Sequence, residues 1–157
     1  MVGKLYVGAH SSIAKGYLMS LKSIQAMGGN AVQIFLKNPR GRGSKPLDEE
    51  ESKLTKQYIE QNDIFLVGHC SYLLNFAKAP SNYPWAIESL VDDMQRISTL
   101  GGRGVVLHIG KYLDMSKEEA YSNIQKSIQT VIERTPQDTK IIFENTAGQG
   151  TEIGHTF

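Results

Sequence analysis

Three residues of this chain have side chains able to share a metal ion, and they recur at nearly even intervals. His69, His108 and Glu144 stand 39 and 36 residues apart. Each closes a short apolar run: Ile64-Phe65-Leu66-Val67-Gly68-His69, Gly104-Val105-Val106-Leu107-His108 and Lys140-Ile141-Ile142-Phe143-Glu144. Two imidazoles and a carboxylate suit Zn²⁺ and leave a position for water or substrate. An ion held this way lowers the pKa of bound water to about 7 and supplies hydroxide at neutral pH. The simpler alternative is that each imidazole only satisfies backbone groups at a strand end. For one histidine that alternative is favoured; three side chains in register on successive strands reverse the preference.

Weaker candidates surround these three. His10, in Gly8-Ala9-His10, falls on the same rim and would touch substrate or support the cluster, or serve only the fold. Lys37, Arg40, Arg42 and Lys45 make a cationic stretch within Lys37-Asn38-Pro39-Arg40-Gly41-Arg42-Gly43-Ser44-Lys45-Pro46. Phosphate contact is one use for such a loop; from charge alone, a mobile, solvated loop is the simpler reading. Tyr72, three residues after His69, could stack on a nucleic acid or pack under a loop. Cys70 neighbours His69, so on a strand it points to the opposite face and reads as a small buried residue.

Elements must bring the three residues together. Apolar runs at Leu5 to Gly8, Ala31 to Leu36, Ile64 to Val67, Gly104 to Ile109 and Lys140 to Phe143 are rich in Val, Ile and Phe and short enough for strands. Between them lie helical spacings. Ile87, Leu90, Val91, Met94 and Ile97 form one apolar stripe, and Ile124, Ile128, Val131 and Ile132 another. Ser116 with Glu119 reads as a capping box; Gly101-Gly102 ends the preceding helix. Asp48 to Asn62 reads as a more polar helix held by Leu54, Tyr58 and Ile59. The order β-α-β-α-β-α-β-α-β implies a parallel sheet covered on at least one face. All carboxyl ends then share one rim, where ligands gather in both barrels and open α/β sheets.

The composition is that of an ordinary folded protein. The 157 residues are 40% hydrophobic and 21% charged, with a formal net charge of +1, so any nucleic-acid binding must come from a local patch. The lone cysteine excludes an intramolecular disulfide. No apolar run approaches the roughly 18 residues of a membrane span, and the start does not read as a signal peptide. A single intracellular domain over residues 1–157 is the expectation, in cytoplasm or nucleus.

At these residues the sequence resembles the endonuclease IV family of apurinic/apyrimidinic endonucleases. The matching words are Val7-Gly8-Ala9-His10-Ser11-Ser12, Phe35-Leu36-Lys37-Asn38-Pro39-Arg40 and His69-Cys70-Ser71-Tyr72-Leu73-Leu74-Asn75. Leu107-His108-Ile109-Gly110 and Glu144-Asn145-Thr146-Ala147-Gly148-Gln149-Gly150 follow in the expected order. The resemblance implies a TIM barrel with three zinc ions that cuts double-stranded DNA on the 5′ side of abasic sites. It implies that His69, His108 and Glu144 hold one zinc and that Glu144, bridging to a second, is catalytic. Arg40 would enter the DNA near the lesion and Tyr72 would hold the kinked duplex; Lys37, Asn38 and Arg42 share the Arg40 loop. Flipping out an abasic nucleotide breaks no base pair.

A whole barrel needs about 250 residues. The element order alone allows an open doubly wound sheet or part of a barrel; with the barrel that the resemblance implies, four βα units and a fifth strand are an α/β fold of TIM type truncated to roughly its first half. The family's remaining ligands come from later strands, so this chain carries about one full set. It would be a fragment, a half completed by a second chain or a homo-oligomer, or a protein without the activity. The competing readings are a metal-dependent sugar isomerase or epimerase of similar barrel fold and a non-catalytic DNA-binding half-barrel.

Overall fold

The computed structural model describes residues 4–41 and 43–155. Nine elements alternate: β1 (Gly8–Ser11), α1 (Tyr17–Ala26), β2 (Ala31–Phe35), α2 (Glu49–Asn62), β3 (Phe65–His69), α3 (Pro84–Thr99), β4 (Gly104–His108), α4 (Lys117–Arg134) and β5 (Lys140–Glu144). The five strands form one parallel sheet in the order β1-β2-β3-β4-β5. Crossovers of a single hand joining strands in sequential order leave every helix on the same side. That is the winding of a (β/α) barrel wall; a doubly wound sheet would reverse its order partway.

Alternation along the strands follows from this one-sided cover. Val32, Ile34, Leu66, Val105 and Leu107 are at most 2% exposed and join the core with Leu90, Met94 and Ile97 of α3. Each such side chain contributes about 1.5–3 kcal/mol of burial. The intervening residues Ala31, Gln33, Phe35, Phe65, Val67, Val106 and His108 are only half-buried on the opposite face. No helix among the described residues is long and apolar enough to cross a membrane.

The helix signals act as their chemistry requires. Ser116 Oγ accepts from the Glu119 N–H, and Asp48 caps α2 through the Glu51 N–H. At the end of α3, Gly101 has φ +80° and the Gly102 N–H donates to Ile97 O. Three expectations need correction. Ladder pairing begins at Gly8↔Ala31, so β1 is Gly8–Ser11 and not Leu5 to Gly8. Asn30 takes the Val7 N–H and Leu5 carbonyl with its own side chain, leaving Leu5 and Val7 exposed. Leu54 and Ile132 are each 44% exposed; α2 instead turns Ser52, Thr55 and Ile59 inward, and α4 turns Ala120, Ile124 and Val131.

A candidate metal centre at the carboxyl ends of the strands

His69, His108 and Glu144 each terminate a strand, and the structure brings them together. One ligand atom of each lies within 4.8 Å of the others. Nε2 of His69 is 2.9 Å from Oε2 of Glu144, and Nε2 of His108 is 3.6 Å from the same oxygen. His108 and Glu144 are register partners on β4 and β5. His69 reaches over from β3, with its ring centroid 5.4 Å from that of His108. His69 is 5% exposed, whereas His108 and Glu144 are 40% and 43% exposed.

The donor set fits a small cation. Nδ1 of His69 lies 2.8 Å from the Cys70 carbonyl, which only accepts, and Nε2 points into the cluster, so an ion there would meet Nε2 while the carbonyl takes the Nδ1 proton. Four ligands about 2.0–2.1 Å from a tetrahedral Zn²⁺ stand about 3.3 Å from one another. The 2.9 and 3.6 Å separations bracket that value.

Phe35 frames the cluster. It is the register partner of His69. Its ring centroid lies 5.4 Å from that of His69, 5.2 Å from Tyr72 and 4.6 Å from His10. Sequence reasoning missed it; the available signal was that Phe35 ends β2 as His69 ends β3. His10 stands one step below the rim, paired with Gln33, whose amide nitrogen is 3.1 Å from His10 Nδ1. Partial burial, and then the neighbouring His69, lower the His10 pKa.

The rim loops are bonded to one another. Asn75 takes the Lys111 N–H with Oδ1 and gives its amide to the Lys111 carbonyl. Gly110, at φ +135°, passes so close to Asn75 that an added Cβ would lie 2.2 Å from Oδ1. Ile153 N–H donates to Gly110 O, tying the loop after β5 to the same place. Tyr72, Asn75, His108, Lys111, Thr146 and Glu152 line a groove of about 310 Å³ beside the cluster. Tyr72 is 58% exposed.

The cationic loop departs from expectation. Lys37 is not solvated: its side chain is 11% exposed. The ammonium donates to Ser89 O at 2.8 Å and lies 3.1 and 3.2 Å from Asp92 and Asp93 on α3. A buried cation needs such partners, and these two carboxylates supply them. Arg40, Asn38 and Lys45 are exposed. Asn38 Oδ1 accepts the Arg40 N–H. Arg42 lies outside the described residues. Cys70 is buried as expected, its thiol pKa pushed well up by burial and by Asp93.

With this geometry in view, residues 21–157 match the family described as a xylose isomerase-like TIM barrel. A curated relative from Clostridium beijerinckii, named "Probable endonuclease 4", is 33% identical over 98% of this chain and 56% of its own length. Its namesake from Campylobacter hominis is 32% identical over 96% of this chain and 55% of its own length. The chain thus spans about half the length of the curated relatives it matches. The crystal structure of endonuclease IV from Thermus thermophilus superposes with a TM-score of 0.78 at 28% identity, covering 94% of this chain and 55% of that one. A D-tagatose 3-epimerase-like protein, 19% identical, shares the fold with a TM-score of 0.69, covering 96% of this chain and 57% of its own.

Proposed function

The chain belongs to the xylose isomerase-like TIM barrel family, and we propose that within it this protein serves a zinc-dependent DNA-repair endonuclease. The substrate is double-stranded DNA with an abasic site, and the bond hydrolysed is the phosphodiester 5′ of the lesion. One observation carries the reading: three zinc-type donor atoms lie within 4.8 Å of one another at the ends of β3, β4 and β5, in a chain similar to endonuclease IV.

Nε2 of His69, Nε2 of His108 and Oε2 of Glu144 would hold the ion. A zinc ion held there would supply Lewis-acid polarisation of the phosphoryl group and hydroxide at neutral pH. The chain's own residues do the rest. The Cys70 carbonyl fixes the His69 tautomer. Glu144 presents its carboxylate to both imidazoles and is the catalytic residue. Arg40 and Tyr72, both exposed beside the rim, hold the DNA, with Asn38 shaping the Arg40 turn and Arg42 following it. His10 supports the cluster through Phe35.

Residues 1–157 form one partial barrel domain in this reading, with one full set of zinc ligands where the family has three ions. Cleavage needs the rest of the barrel, from the remainder of a longer chain, a second chain or another copy, and the protein works inside the cell, in cytoplasm or nucleus. The sugar-isomerase alternative has the shared fold in its favour, but the exposed Arg40 and Tyr72 support a polyanionic, stackable substrate. The deciding experiment assays an abasic duplex and ketose sugars in parallel, with and without a C-terminal half-barrel added in trans. Cleavage of the duplex in the reconstituted mixture supports the endonuclease. Turnover of a sugar overturns it, and salt-sensitive DNA binding without cleavage in either mixture leaves a non-catalytic binding half-barrel.

A further inference from the structure

Lys37 is used by nothing above, yet its ammonium makes four polar contacts. It contacts Ser89 O at 2.8 Å, Ser89 Oγ at 3.0 Å, Asp92 at 3.1 Å and Asp93 at 3.2 Å. Seven residues on, Ser44 Oγ donates to the same Asp92 oxygen at 3.3 Å. Asp92 is itself held by Arg96 through contacts of 2.9 and 3.0 Å. Between these two attachments Ser71 Oγ donates to the Pro39 carbonyl at 2.7 Å, one residue before Tyr72. The loop carrying Arg40 is therefore tied at both ends to α3 and at its middle to the segment that carries Tyr72.

We propose that Lys37 is a positioning residue: clasped by Asp92, Asp93 and Ser89, it seats the Arg40 loop against the Tyr72 loop, so that Arg40 meets DNA already oriented. The proposal rests on the DNA reading and adds to it a residue acting through Arg40. Holding a loop before binding removes an ordering cost from association. It also explains why a cation in a DNA-facing loop turns away from solvent.

The test has two arms. Amide exchange of the segment spanning residues 37–48 is compared in the wild type, Lys37→Met and Ser71→Ala; the second variant serves if the first fails to fold. Binding of an abasic duplex is measured over a range of salt for the wild type, Lys37→Met, Arg40→Ala and the double variant. Exchange should rise in that segment alone in either anchor variant. Each single binding variant should weaken affinity about tenfold and lower the salt slope by about one phosphate equivalent, with no further change in the double variant. Unchanged exchange overturns the clasp. Additive losses, with the slope falling by about two equivalents, make Lys37 a direct phosphate contact and overturn the positioning role. If Arg40→Ala leaves binding untouched, the DNA reading of this loop fails, and the role for Lys37 falls with it; exchange still reports whether the clasp exists.

Discussion

Nε2 of His69 lies 2.9 Å from Oε2 of Glu144 across 75 residues of chain, although their strands are not neighbours. β4 runs between them, and two strand spacings amount to about 9.6 Å. Two long side chains close that gap by reaching toward each other over β4, on the face that also carries His108. Whatever holds the rim loops in place holds the cluster.

Gly110 is one such point. At φ +135°, with an added Cβ only 2.2 Å from Asn75 Oδ1, Gly110→Ala must displace the loops after β3 and β4. A loss of about 1–3 kcal/mol in urea unfolding is expected. Gly43→Ala, where nothing lies within 4 Å of the new methyl, should be close to neutral. Equal effects would show that the two loops are not rigidly joined.

Asp93 makes stability depend on pH. Burial, resisted by Lys37 and reinforced by Asp92, raises its pKa to about 6. A carboxyl that keeps its proton more tightly folded than unfolded stabilises the fold fully below its ordinary value of 3.8. That contribution is lost as pH rises through about 6. Relative to Asp93→Asn, the wild type should therefore lose up to about 3 kcal/mol between about pH 4 and about pH 6.5. Lys37, Asp92 and Cys70 surround the carboxyl in both proteins. Thermal unfolding across this range checks it, and a pH-independent gap would refute it.

Tyr72 should contribute by its ring alone. Tyr72→Ala is expected to weaken binding of an abasic duplex by about 1–2 kcal/mol without altering the salt slope, since no charge is removed. Tyr72→Phe should bind like the wild type. Loss of affinity in the Phe variant would assign the work to the hydroxyl instead.

Much of this was readable from residue order. Val-, Ile- and Phe-rich runs ending in His69, His108 and Glu144 give the sheet, its direction and the convergence of the three, because parallel strands share a rim. The stripe from Ile87 to Ile97 is buried throughout. The burial of Lys37 is not legible in the sequence, because side-chain direction in a loop has no periodicity to reveal it; its carboxylate partners lie 55 and 56 residues away on α3. β1 starts later than the apolar run because the Asn30 side chain takes the Val7 N–H and Leu5 carbonyl, while the Val7 carbonyl accepts from the Asn30 and Ala31 N–H groups at the start of β2. Phe35 looked like any core residue until register placed it beside His69.

Metal analysis of the purified chain decides whether the three strand-end residues bind zinc. With zinc supplied, about one tightly held ion per chain is expected, lost in His69→Ala, His108→Ala and Glu144→Ala but kept in Cys70→Ser. A wild-type chain that takes up no zinc, or alanine variants that hold it as firmly as the parent, would contradict that reading of the three residues.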